Sequence, residues 1–175
     1  MSCIEIHSVS KSYNSVLAVD AIDLNVKSGQ VFGFLGPNGA GKSTLIKLLT
    51  TLIQPNNGTI SVLGINALEE PLEIRKKIGV VLQQPSYEPT LTVEKSLEKY
   101  GMMWNVDKKI RKERTEQLLE SFELTEIRKK NMEDLSIGQR RRVQVAREFM
   151  HDMDLLFLDE PTVGLDPSEI GRAHV

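Results

Sequence analysis

The sequence has 175 residues, 26% of them charged and 40% hydrophobic, which is enough for one domain with a core and too little for two ordinary ones. Its 22 basic side chains nearly cancel its 24 acidic ones, and the net charge of -2 leaves no global field to draw the chain onto nucleic acid or an anionic membrane. No apolar run approaches the roughly 20 residues that cross a bilayer, the N-terminus lacks a signal-peptide pattern, and the single cysteine, Cys3, cannot form an internal disulfide; a cytosolic chain is the expectation.

Ile4, Ile6 and Val9 alternate as a strand does, as do Ile22, Leu24 and Val26, which predicts two antiparallel strands closed off by Ser28-Gly29. Gln30–Leu35 reads as a buried strand that runs into a glycine-rich segment, and Lys42–Leu52 as the helix that follows. Pro55-Asn56-Asn57-Gly58 is a predicted turn, Thr59–Leu63 a strand, Leu72–Lys77 a short helix and Ile78–Leu82 another apolar strand. From Leu91 to Lys130 the sequence is charged and helical, with Leu97, Tyr100 and Trp104, then Ile110, Leu118 and Phe122, at helical spacing. This marks a helical insertion over about 86–134. Val143, Ala146, Phe149 and Met150 predict a further amphipathic helix, and Leu155–Leu158 a short strand that ends in Asp159-Glu160.

Gly36-Pro37-Asn38-Gly39-Ala40-Gly41-Lys42-Ser43, with Thr44 after it, fits the pattern G-x-x-x-x-G-K-[ST] between a strand and a helix. Glycines let the backbone wrap a phosphate, the N–H groups and helix start supply positive potential, Lys42 neutralises phosphate charge and Ser43 offers an oxygen to magnesium. Asp159 and Glu160 sit where an open α/β sheet presents its ligand edge, Asp159 placed for magnesium and Glu160 for the attacking water. Read alone, a strand-ending acidic pair is more often a solvated turn; its pairing with the phosphate loop gives it meaning.

Between these motifs, Leu135-Ser136-Ile137-Gly138-Gln139-Arg140 precedes a helix, and on its own it reads as a helix cap with a flexible glycine. Together the motifs resemble the nucleotide-binding subunits of ATP-binding cassette (ABC) transporters, over about Ile4 to Pro167. The family signature is usually Leu-Ser-Gly-Gly-Gln, and this chain departs from it at Ile137 while keeping Ser136 and Gly138. The resemblance implies an α/β fold, a P-loop NTPase (RecA-like) core with an N-terminal antiparallel β-subdomain and a helical insertion. It implies that ATP and Mg2+ are bound, that Tyr13 stacks on adenine, and that Gln83, with Gln84 as a rival, touches magnesium and the attacking water. It implies that Ser136, Gly138 and Gln139 serve the nucleotide of a second copy or a paired nucleotide-binding subunit. The partner would be a membrane-spanning permease, placing the chain at the inner face of the cell membrane, with no nucleic acid expected. A stand-alone drug- or lipid-type exporter subunit is the leading reading, and a soluble ABC ATPase acting on ribosomes or DNA the alternative.

The basic run Lys108–Arg114 is interrupted by Glu113 and reads as a solvated face, while His7 and His151 read as structural. Trp104 fits either the insertion core or a partner contact. The family's histidine beyond the Asp166 loop has no counterpart here, since His174 falls too close to Asp166. The tail 169–175 can be encoded by DNA that contains the start of a widely used sequencing adapter. The expectation is therefore an ABC ATPase domain over 1–168, incomplete at its C-terminus and poorly active by itself, followed by a non-native tail over 169–175.

Overall fold

Strands β1 (Ser2–Tyr13) and β2 (Val16–Lys27) form the antiparallel hairpin that the alternation predicts, with Ile4 opposite Val26, Ile6 opposite Leu24 and Val9 opposite Ile22. The computed structural model describes residues 1–83 and 86–159. The chain divides into two compact units, Met1–Ile78 and Gly79–Val175.

In the first unit, β3 (Asn57–Val62) pairs antiparallel with β1, and β4 (Ile65–Asn66) pairs with β3, giving the order β2-β1-β3-β4. The predicted turn ends early because Asn57 already pairs with Ser10. Gly58 is needed there: its φ is +87°, and a Cβ would stand 2.5 Å from the carbonyl oxygens of His7 and Ser8. Helix α1 (Lys42–Leu49) buries Leu45, Ile46, Leu48 and Leu49. It stops short of Leu52 because Thr51 turns left-handed at φ 59°. Helix α2 (Pro71–Lys77) starts on a proline, whose missing N–H costs nothing in a first turn, and buries Ile74.

One expected element does not form. Gln30–Leu35 belongs to no strand, and Val31 and Leu35 are 99% and 97% exposed. The rings of Phe32 and Phe34 meet edge to face at 5.2 Å, so alternate residues do share a side as in extended chain. Apolar pattern sets that conformation, but a strand also needs a neighbour to take its N–H and C=O groups, and no described residue supplies one.

In the second unit, β5 (Ile78–Val81) lies beside β6 (Leu155–Leu158), and the Asp159 N–H donates to the Val81 carbonyl at 2.9 Å. Three helices build the core: α3 (Val93–Met103), α4 (Lys108–Ser121) and α5 (Ile137–Glu148). Thr92 and Asp107 accept first-turn N–H bonds at the starts of α3 and α4, so both helices begin where a capping side chain permits. Val93 and Leu97, Leu118 and Leu119, and Val143, Ala146 and Met150 meet in one apolar cluster with Leu124, Ile127, Met132 and Leu135. Ile110 is not part of it; it stands 44% exposed while Thr115, Leu118 and Leu119 take the inner face of α4. The two ends of the insertion are tied together by Val93 N–H to Lys130 O at 3.1 Å and Met132 N–H to Leu91 O at 2.9 Å. Among the described residues no helix is long and apolar enough to cross a membrane.

Candidate functional site

The glycine-rich loop is built for an anion. The Gly41 backbone, at φ +84°, begins α1 without any side-chain cap, and the first turn of the helix holds no acidic residue. The start of α1 therefore turns the positive end of its dipole, uncompensated by any acidic side chain in the first turn, toward an incoming anion. Gly41 is also sterically required, since a Cβ would stand 2.2 Å from the Ala18 carbonyl oxygen on β2. The Lys42 ammonium donates to the carbonyls of Gly36 at 2.7 Å and Pro37 at 2.8 Å. Neutral carbonyls hold it over the loop, and phosphate oxygens, being charged, are the stronger acceptors. The Ala40 N–H donates to Pro37 O at 3.2 Å and closes the turn. Gly36 to Ala40 are exposed, and Ser43 and Thr44 sit half-buried in the first turn of α1. Tyr13, at the end of β1, is 44% exposed, with the Lys11 ammonium 5.7 Å from its ring centroid.

In the second unit, Asp159 follows β6 and is 5% exposed, and Gln83 follows β5 and is exposed. Glu160 and Gln84 lie outside the described residues, as do Asp166 and the tail. Ser136 and Gln139 form a reciprocal capping box: the Ser136 hydroxyl accepts from the Gln139 N–H at 3.1 Å, and the Ser136 N–H donates to Gln139 Oε1 at 3.0 Å. Gly138 is buried against the helix start while Ile137 points outward, 63% exposed. The third position of the signature therefore faces away from the cap, which explains how it tolerates an isoleucine.

The ABC transporter family model matches residues 19–163. The chain belongs to the ABC transporter family. It is 43% identical over 164 residues to the daunorubicin/doxorubicin resistance ATP-binding protein DrrA of Streptomyces peucetius, covering 94% of this chain and 50% of that protein. It is 37% identical over 172 residues to the linearmycin resistance ATP-binding protein LnrL of Bacillus subtilis, covering 98% and 55%. The chain thus spans about half the length of these relatives. Among solved structures it is similar to cbiO1 of Clostridium perfringens, part of the ABC transporter complex cbiONQ, with a TM-score of 0.87, 26% identity and coverage of 98% and 70%. It is similar also to the dimeric bacterial ABC transporter cassette MJ0796, with a TM-score of 0.86, 29% identity and coverage of 97% and 78%. The fold is that of an ABC ATPase cassette, a P-loop NTPase of α/β class.

Reading this cassette from its sequence missed two buried polar residues of α5. Arg141, 5% exposed, donates to the Leu82 and Asp159 carbonyls, each at 2.6 Å. Glu148, 2% exposed, accepts from the Tyr100 hydroxyl at 2.7 Å and from the Val80 N–H at 3.3 Å. A signal existed: Arg141, Gln144 and Glu148 recur at i, i+3 and i+7, the spacing of a buried helix face. His151, read as structural, is buried and stacks on Trp104 with ring centroids 3.9 Å apart; Trp104 also meets the Tyr100 ring of the insertion at 6.4 Å.

Proposed function

We propose that this chain binds and hydrolyses ATP as the nucleotide-binding part of an ABC transporter, working with a second copy or paired cassette and with a separate membrane permease at the inner face of the cell membrane. The observation that carries the reading is the Lys42 ammonium held by two loop carbonyls above a helix start with no side-chain cap. Gly36 to Ser43 and Thr44 hold the phosphates, and Tyr13 offers its half-exposed ring to adenine. Ser43 in the first unit, and Gln83 and Asp159 in the second, each carry an oxygen donor of the kind a magnesium ion prefers. When bound, that ion neutralises charge that builds on the phosphoryl oxygens. Glu160 takes a proton from the attacking water, and Gln83 orients it.

Ser136, Gly138 and Gln139 present a second anion site to the nucleotide of the paired cassette. The capping box supports this, because it uses the Ser136 oxygen as an acceptor and leaves its hydroxyl hydrogen to donate outward. A dimeric relative, MJ0796, also known in a post-hydrolysis state with ADP and Pi, supports the paired arrangement. The names of DrrA and LnrL favour a drug-type exporter over a soluble ATPase on ribosomes or DNA.

Titration calorimetry with ATP tests the reading. Lys42→Ala removes a charged donor worth about 1.5–3 kcal/mol, so affinity should fall about tenfold or more. Unchanged affinity would overturn the phosphate-loop assignment.

A further inference from the structure

Helix α5 grips the chain on both sides of Gln83. Arg141 spreads its guanidinium between two adjacent strand ends, Nη1 to Leu82 O and Nη2 to Asp159 O, both at 2.6 Å, with Gln144 Oε1 3.4 Å from Nη1. The residues next in sequence are Gln83 and Glu160. Beyond Gln83, Arg140 donates to the Tyr87 hydroxyl at 2.8 Å and lies over that ring at 5.2 Å, and Arg147 donates to the Ser86 carbonyl.

Burying a guanidinium is costly unless its donors are met, and an apolar side chain of similar volume would fill the space without that cost. The arrangement is accounted for if the two strand ends must be held against the helix. The described ladder between β5 and β6 ends near the Asp159 N–H to Val81 bond, so just past it a planar fork fixes two carbonyls at once, as a single ammonium cannot. Arg141 stands five positions beyond Ser136, about 7–8 Å along the helix axis, so a shift at the capping box reaches both strand ends through little more than one rigid turn.

We infer that Arg141 is a positioning residue for hydrolysis: it locks the backbone carrying Gln83 and Asp159 to the helix that starts at Ser136, while Arg140 and Arg147 pin the far side of the Gln83 segment. The inference rests on the ATPase reading above. Arg141 acts through the backbone of others, and the phosphate loop binds without it, so its loss lowers turnover and spares ATP affinity.

The test is Arg141→Lys, which keeps the charge and loses the fork, with ATP binding by calorimetry, steady-state turnover and thermal unfolding measured together. The expected result is kcat lower by about tenfold or more, with Kd and KM for ATP within about threefold. Arg111→Lys, on α4, is the control; Arg111 Nη1 donates to the carbonyl of Val106, just before that helix, at 3.0 Å, so the change should lower thermal stability and leave kcat unchanged. A folded Arg141→Lys protein with parental kcat overturns the inference, and so does an equal loss of kcat in the Arg111→Lys control. If Arg141→Lys does not fold, Arg140→Gln decides: a fall in kcat of about threefold or more supports the clamp, and no fall overturns it. Absence of ATP turnover in the parent protein would instead overturn the ATPase reading, and the inference with it.

Discussion

Tyr100→Phe is the sharpest probe of the second unit, because it deletes one oxygen and little else. The Tyr100 hydroxyl donates to Glu148 Oε2 at 2.7 Å, and Glu148 is 2% exposed. Without it the carboxylate keeps the Val80 N–H at 3.3 Å and the Arg147 Nε at 3.6 Å. The phenylalanine ring preserves the apolar contact and the Arg147 guanidinium above it, 5.0 Å from the ring centroid, so the loss is essentially one hydrogen bond to a buried charge. Such bonds are worth about 1.5–3 kcal/mol, against about 0.5–1.5 for a neutral pair. With an m-value of about 2 kcal/mol/M, the urea midpoint should fall by about 1 M. The sole tryptophan, Trp104, reports the right unit: it stacks on His151 at 3.9 Å and meets the Tyr100 ring edge at 6.4 Å. In a Glu148→Gln background the same change should cost about half as much, since the acceptor is then neutral. A midpoint shift below about 0.3 M at unchanged m-value, or equal shifts in both backgrounds, would refute the reasoning.

The same contact predicts an alkaline limit. Burial first, then the charge of Glu148 and the hydrogen bond to it, hold the Tyr100 phenol well above its ordinary value near 10. The folded-state value is raised, so this stabilisation is complete below about pH 10 and drains away as pH rises beyond that; the urea midpoint above pH 10 should decline more steeply in the parent than in Tyr100→Phe. Equal slopes would dissociate Tyr100 from the effect. In the first unit, Gly41 and Gly39 share a φ of +84°, but only at Gly41 would a Cβ meet backbone, the Ala18 oxygen at 2.2 Å. Gly39→Ala should cost about 1–2 kcal/mol of unfolding free energy for left-handed backbone alone, and Gly41→Ala clearly more, with equal losses counting against the steric role.

What the sequence reveals depends on whether a pattern carries its own partner. The β1–β2 hairpin was legible because both faces of the ladder are nearby in sequence, and Ile4, Ile6 and Val9 name their own opposites. The helix start at Ser136 was legible for the same reason, since its cap bonds within three residues of itself, whereas the caps at Thr92 and Asp107 emerge only from the structure. Gln30–Leu35 was misread as a buried strand because an apolar run encodes extension and not the neighbour that makes it a strand. Arg141 and Glu148 escaped because their partners, Leu82, Asp159, Tyr100 and Val80, lie 18 to 68 residues away, and a charged residue in a helix reads as solvated until such distant acceptors are known.

The signature segment shows why a bland reading and a functional one can both hold. Read alone, Ser136-Ile137-Gly138-Gln139 is a helix cap, and the capping box shows that it is one. That cap fixes Ser136 with two reciprocal bonds, one through its hydroxyl oxygen and one through its backbone N–H, so the hydroxyl is placed before any anion arrives. Arg141 extends the rigidity one turn further, to the carbonyls beside Gln83 and Glu160. A loose glycine-rich loop there could still bind a phosphate, but binding would be absorbed by its own ordering. A capped helix bolted to two strand ends transmits the displacement instead, and that is the physical requirement if, as proposed above, occupancy of the signature segment is to be felt beside Gln83.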